Sequence, residues 1–284
     1  MRRLTVRLVK SSDEIAAIQS LYTRAHFLGL RQLTVHFETT PEALRDLLPP
    51  PLEPAPQPLG VAWIGEIGNS NCMGSFLGGG VYLRARYQDV NGYYCIAAPR
   101  STTDSLIVGR EIFGEPAKLA KVAFEEQEEH VWGHAERHEI RYFSVRGRRE
   151  EPAPTGRQEF SSFQFKFLPR GDGAGFDCPP RLVQVTSNYN ITTADHGRGE
   201  LVFRDSPHDP LDDIPVQQVV DSVYIEGQMY STSRTLCEVD PEAFLPYAFT
   251  RADAMELLAE NTVMHGQASR KTAEGRGQWR KVGE

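Results

Sequence analysis

Lysine is scarce in this 284-residue chain. It occurs only at Lys10, Lys118, Lys121, Lys166, Lys271 and Lys281, so arginine carries most of the 31 positive charges. Any lysine chemistry therefore has few candidates, and Lys118, Lys121 and Lys166 are the ones away from the termini. Cysteine is also sparse. The four residues, Cys72, Cys95, Cys178 and Cys237, form no Cys-x-x-Cys pair, which excludes a disulfide scaffold and a paired-ligand zinc site. They read as buried or incidental thiols, as in a reducing compartment. Positive charge is outnumbered, 31 against 38 acidic residues for a net −7, which argues against a nucleic-acid or anionic-membrane partner. No run approaches the roughly 18 apolar residues of a membrane span. The opening Met1–Lys10 is broken by charge, so it holds no signal-peptide core. The expectation is a soluble, cytoplasmic protein.

What is present is a succession of short strand patterns. Leu33, Val35 and Phe37 alternate with Thr34, His36 and Glu38. Val61–Ile67, Val81–Tyr87, Gly92–Ala97 and Ser105–Val108 read as strands separated by Gly, Asn and Asp turns. Val131–Arg137 and His138–Val145 read as a hairpin, and Phe163, Phe165 and Phe167 alternate with Gln164, Lys166 and Leu168. Leu182–Thr186, Leu201–Arg204 and Asp221–Tyr230 complete the set. Helical patterns are confined to 11–25, to Pro41–Leu48 and to a closing region from Asp240 to about Met264. Many short strands with Gly- and Pro-rich turns predict a mainly β fold (α+β), a sandwich or closed barrel with a few short helices. We expect one domain over 30–264, an N-terminal helical extension over 1–29 and a polar C-terminal tail over 265–284.

The segment Gly109-Arg-Glu-Ile-Phe-Gly-Glu-Pro-Ala-Lys-Leu-Ala-Lys121 is the sharpest chemical candidate. Pro116 is expected to start a turn or short helix bearing Lys118. A poorly solvated lysine there would have a lowered pKa and could attack a carbonyl; a solvated ammonium is the plainer alternative. Lys166 is second, and faces either a lumen or solvent. His130, His134 and His138 are spaced at four, but along a strand the outer two lie about 26 Å apart at roughly 3.3 Å per residue, too far for one metal. Gly74–Gly80 lacks the ending of a phosphate loop and reads as a turn. No metal and no cofactor are expected.

Three stretches together are familiar: Pro41–Leu52, Gly109–Leu119 and Leu201–Val220. In order and spacing they resemble the acetoacetate decarboxylase-like superfamily over roughly residues 30–250. The resemblance implies a cone-shaped, largely antiparallel β-barrel with a central pocket, in which a lysine forms an imine (Schiff base) with a keto acid. Lyase reactions follow in such relatives: decarboxylation, or aldol and dehydration chemistry. It also implies two adjacent lysines after the proline, the first forming the imine. Here these positions are Ala117 and Lys118, so only the second lysine survives. The two pocket glutamates fall on Trp63 and Gly78, and the pocket arginine on Leu30, one residue before Arg31.

The expected function is therefore a decarboxylase-like lyase acting on a keto acid or related small carbonyl compound. An imine on Lys118 would carry it, with Glu115 or Glu66 as proton carrier. Arg31 would hold a substrate carboxylate, and Trp63, Phe76, Gly78 and Ala117 would shape the pocket. The alternative is a barrel that binds or transforms a bulkier apolar molecule without imine or decarboxylase chemistry. Family members commonly assemble, so a homo-oligomer is the expected form.

Overall fold

The computed structural model describes residues 7–253. Ser11 caps the first helix, α1 (Ser12–Thr23), in a capping box with Glu14. None of the helix residues is buried, and Ile15, Ile18 and Leu21 remain exposed. Strand β1 (Ala25–Glu38) follows, then α2 (Pro41–Leu47), capped by Thr40. The next strands are β2 (Glu53–Pro54), β3 (Leu59–Ser70), β4 (Phe76–Tyr87) and β5 (Val90–Arg100). Helix α3 (Thr103–Val108) runs into a wide π turn, Gly109–Phe113. The remaining strands are β6 (Ala117–Leu119), β7 (Lys121–Gln127), β8 (His130–Arg137), β9 (Ile140–Arg148), β10 (Glu151–Pro152), β11 (Gly156–Lys166), β12 (Arg181–Gly197), β13 (Gly199–Phe203) and β14 (Gln218–Glu238). Helix α4 (Pro241–Ala248) follows the last strand.

Seven strands close on themselves in the order β4-β3-β1-β14-β12-β11-β5, with β5 pairing back onto β4. The pairs are antiparallel except β11 with β5. This is the mainly β fold that the patterns implied, closed as the largely antiparallel barrel that the resemblance implied. A second sheet, β13-β9-β8-β7, lies against its outer wall. Leu33, Val35, Ile64, Val81 and Leu83 of the barrel share one buried cluster with Val131, Ala135, Phe143 and Val145 of that sheet. Gly133 and Gly147 permit the close approach, because a Cβ would stand 2.6 Å from Ile64 Cγ2 at the first and 2.7 Å from Leu33 Cδ1 at the second.

Several local expectations change. Ser105–Val108 is helical, not extended: Thr102 accepts from the Ser105 amide as an N-cap, and so short an apolar run carries no decisive period. Pro116 leads into strand β6 rather than a helix, because Ala117–Leu119 finds a parallel partner in Ala98–Arg100. Gly74 lies in a turn at φ +68, but Gly78–Gly80 belong to β4. His138 and Glu139 both have positive φ and form the two-residue turn of the β8–β9 hairpin, so His138 leaves the histidine row. Lys166 is exposed while Phe163 and Phe165 face the core, so it follows the solvent alternative. The strand that opens the barrel starts at Ala25, and the expected tail over 265–284 lies outside the described residues, as does the end of the closing helical region. Among the described residues no helix is long and apolar enough to cross a membrane.

Phe143 is fully buried between the two sheets. Phe143→Ala should destabilise the fold by about 3–5 kcal/mol. The measurement is urea unfolding, where the midpoint is expected to fall while the slope is unchanged.

Candidate functional site

The closed barrel holds a cavity of about 240 Å³, somewhat below the usual range of drug-sized pockets and suited to a small molecule. Alternate strand residues line it: Gln32, Thr34 and His36 on β1, Trp63 on β3, and Ser162 and Gln164 on β11. One wall is apolar, formed in part by Phe27, Ile67, Met73 and Phe76. Opposed to it are polar side chains, and among these the charged pair Arg100–Glu115 stands out.

Local folding places that pair. Gly114, at φ +81, ends the π turn in a left-handed conformation that favours glycine, and its amide donates to Gly109 O. The chain reverses, and Glu115 turns back over Gly109. A Cβ at 109 would lie 2.6 Å from Glu115 Oε2, so glycine there makes room for the carboxylate. Arg100, at the end of β5, donates from Nη2 to Glu115 Oε2 at 2.6 Å and from Nη1 to Gly79 O at 2.7 Å. The two side chains are 5% and 14% exposed, so this is a desolvated ion pair. Burial works against the Arg100 charge, but Glu115 opposite outweighs it and raises the pKa.

Two buried polar atoms at the cavity, Arg100 Nε and Gln164 Oε1, have no hydrogen-bond partner among the described residues. They are a donor and an amide acceptor left unsatisfied in the wall of the cavity, each with almost no accessible surface of its own. Gly80 supports this wall, since a Cβ would meet the Tyr82 ring at 2.4 Å and Trp63 Nε1 at 2.7 Å. Burial pushes the Tyr82 phenol and the Cys95 thiol well up, so both stay protonated near neutrality and neither is a ready nucleophile.

The family model for acetoacetate decarboxylase matches residues 14–237, most of the chain. The chain belongs to the acetoacetate decarboxylase family. It is 24% identical over 212 residues to an acetoacetate decarboxylase of Burkholderia cenocepacia, covering 72% of this chain and 84% of the relative. The corresponding protein of Bordetella avium is 27% identical over 203 residues, 68% of this chain and 80% of the relative. The solved acetoacetate decarboxylase of Legionella pneumophila superposes with a TM-score of 0.69 at 19% identity, covering 75% of this chain and 87% of that one. That likeness supports the barrel fold.

Within this family barrel, the expected site residues separate by strand parity. Trp63, Phe76 and Glu115 line the cavity. Gly78 adjoins it, since a Cβ there would stand 3.3 Å from Arg100 Nη1. Ala117, at the position implied for the imine lysine, is buried with Val61, Tyr82, Cys95 and Ala98 beside the cavity. Lys118, Arg31 and Glu66 do not join them. Ala117 and Lys118 are neighbours on a strand and point to opposite faces, so Lys118 leaves the barrel. Its Nζ donates to His208 O at 2.6 Å and pairs with Asp209 at 3.1 Å and Asp253 at 3.2 Å. Arg31 and Glu66 sit opposite one another on β1 and β3, on the outer face, where they pair with each other. Leu30, the position implied for the pocket arginine, is buried among Phe27, Ile67 and Phe76. Among the described residues no lysine lines the cavity.

Arg100 and Gln164 were not recognised from the sequence. Arg100 is the one charge closing the run Tyr93-Tyr-Cys-Ile-Ala-Ala-Pro-Arg100, a buried-strand pattern in which a cation needs a partner. That signal was available, but the partner, fifteen residues on, is not apparent without the fold.

Lys118 belongs to an ionic cluster outside the barrel. Arg137 donates to Asp209 at 2.6 Å and to Asp253 at 2.6 Å, and His138 contacts Asp253 at 3.2 Å. His138, His208 and Asp253 bring possible ligand atoms within 4.8 Å of one another. The two rings, however, stack at 3.7 Å and 20° and so do not converge their lone pairs on one ion, and two cations already hold Asp253. Burial works against the Asp253 charge, but the hydrogen bonds from Arg137 and His138 and the Lys118 charge outweigh it and hold the carboxyl well below its usual range.

Lys118 and Asp209 are 10% and 8% exposed, so Lys118→Ala should cost about 3 kcal/mol by leaving a buried carboxylate short of a cation. Urea unfolding measures this. Because the folded pKa of Asp253 is depressed, its contribution is complete above the unfolded value near about 4 and is lost as pH falls below it. The stability difference between the native chain and Asp253→Asn should therefore shrink between about pH 5 and pH 2. A difference that stays constant over that window would show that the carboxylate charge is not what anchors this residue.

Proposed function

We propose that this chain is a lyase-type enzyme that works without a lysine imine, on a small carbonyl compound of keto-acid type held in the barrel lumen. Arg100 receives the carbonyl or carboxylate oxygen, and Glu115 beside it holds the guanidinium in place. The observation that supports this reading most is the buried Arg100–Glu115 pair at the cavity with Arg100 Nε still without a protein partner. The acetoacetate decarboxylases among its relatives give the substrate class, a small keto acid.

The chemistry follows from the environment. Inside a desolvated lumen a guanidinium stabilises negative charge that develops on oxygen far better than it would in water. Loss of a carboxylate, retro-aldol cleavage and dehydration all pass through such an enolate-like state. A protonated imine supplies this electron sink where the lysine is present. Here Ala117 removes it, and Arg100 offers an electrostatic substitute. The apolar wall of Phe27, Ile67, Met73 and Phe76 favours a substrate with an apolar body. The same wall favours the second reading, a barrel that captures a bulkier apolar molecule without transforming it.

Borohydride reduction in the presence of pyruvate or acetoacetate, followed by intact mass and peptide mapping, should give no adduct on Lys118 or Lys166. An adduct on either would overturn the imine-free reading. Calorimetry with the same acids should show binding that Arg100→Leu/Glu115→Leu weakens by roughly tenfold to a hundredfold, the worth of a charge-assisted hydrogen bond. The paired substitution removes both charges together and so leaves no buried orphan. Binding of an apolar ketone but of neither acid, with no turnover, would favour the second reading.

A further inference from the structure

Three neighbouring positions on adjacent strands, of which His36 borders the cavity, carry groups the foregoing chemistry does not use. His36 on β1 lies directly opposite Asp221 on β14, and His196 on β12 pairs with Val223, two residues further along β14. Nδ1 of His36 stands 2.5 Å from Asp221 Oδ1, and Nε2 of His196 stands 3.2 Å from Asp221 Oδ2. An ionised carboxylate only accepts hydrogen bonds, so Nδ1 of His36 is the donor, and whenever the ring carries one proton Nε2 is the lone-pair base. His36 borders the cavity, and its Nε2 has no hydrogen-bond partner among the described residues. Asp221 is held by a histidine on each oxygen, which fixes the carboxylate that orients His36.

We propose that His36, oriented by Asp221, is the general acid–base group of this lumen. The inference rests on the reading of the cavity as a carbonyl site, and it assigns the step that Arg100 cannot perform. Nε2 takes a proton from the carbon next to the carbonyl. The C–H electron pair moves into the new C=C bond, and the carbonyl π electrons move onto oxygen, giving an enolate whose charge faces Arg100. The imidazolium then returns the proton to carbon, or to the oxygen of a leaving hydroxyl in a dehydration. Asp221 acts as a positioning residue: it sets the tautomer and stabilises the imidazolium, as the carboxylate does in the Ser-His-Asp arrangement, although Asp221 is half-buried and not fully enclosed. The substrate class this selects is a carbonyl compound with an acidic α-hydrogen.

Bromopyruvate tests the assignment, since it combines a keto-acid head with an electrophilic α-carbon. The Nε2 lone pair forms the C–N bond as the C–Br bond breaks and bromide leaves. Labelling is read peptide by peptide, because exposed Cys178 will also react. The expected result is saturable alkylation of His36, faster than that of exposed His130, with the rate falling roughly tenfold or more in Asp221→Asn, which supplies the wrong ring tautomer. The ring N–H proton resonance shifted downfield by the carboxylate should be present in the native chain and lost in Asp221→Asn, a readout that a purely structural aspartate would not move. Circular dichroism and thermal melting establish that the variant is folded. If it is not, the native chain decides alone: labelling must be faster on His36 than on His130, and saturable, for the assignment to stand. Alkylation of His36 no faster than His130, or unaffected by Asp221→Asn, overturns the proposal. Fast His36 labelling that neither saturates nor responds to Arg100→Leu/Glu115→Leu leaves His36 in place and overturns the role of Arg100 instead.

Discussion

Successive residues of a strand point to opposite faces, and in a closed barrel those faces are a lumen and an outer wall. On β1, Leu33, Val35 and Phe37 go outward into the core shared with the second sheet, while Gln32, Thr34 and His36 go inward. On β6 the same parity puts Ala117 beside the cavity and Lys118 outside it. A one-residue change of register would exchange the two, but it would also move a charged side chain into the cluster around Cys95 and Tyr82 and break the pairing of Ala117–Leu119 with β5. Lys118 therefore cannot stand in for a lysine at 117 by a small adjustment. Its ammonium is held between Asp209 and Asp253, and turning inward would leave those carboxylates and Arg137 to rearrange.

In the proposed reading the lumen uses a different electron sink from an imine. Ala117 offers no amine, and the guanidinium of Arg100, held by Glu115, is the cation that borders the cavity. A buried pair of this kind contributes little net stability, because desolvation offsets most of the attraction between the charges. Its presence in the cavity is easier to understand as preorganisation for a developing anion than as a structural support. The small residues around it serve that arrangement: Gly109 clears the Glu115 carboxylate, and Gly80 clears Trp63 and Tyr82.

Outside the barrel, the second sheet and the ionic cluster have a common effect. The β8–β9 hairpin packs on the barrel through Val131, Ala135, Phe143 and Val145 and, at its turn, sends Arg137 and His138 toward Asp253 near the end of the described chain. Lys118 joins the same cluster from the strand that follows Pro116. The segment that carries Glu115 into the lumen is thus tethered on its far side by charges that never enter the cavity.

Most of the longer strands, the helix at Pro41–Leu47 and the kinship carried by Gly109–Leu119 could be read from residue order alone, because hydrophobic period, caps and a spaced motif are local properties of the chain, whereas the strand Lys121–Gln127 was not read. That alanine stands at 117, where the resemblance implies an imine lysine, was equally plain. Which side chains share the lumen was not, since Arg31 lies one residue from an implied pocket position and Glu66 three residues from another, and only their parity on paired strands sends them outward. Ser105–Val108 misled for a related reason: four apolar-rich residues have no period, and the Thr102 cap decided for helix. Arg100 with Glu115, and His36 with Asp221, are joined by turns and by pairing across 15 and 185 residues. Contacts of that kind depend on how the sheet closes, a long-range consequence of burial and hydrogen bonding that no local pattern encodes.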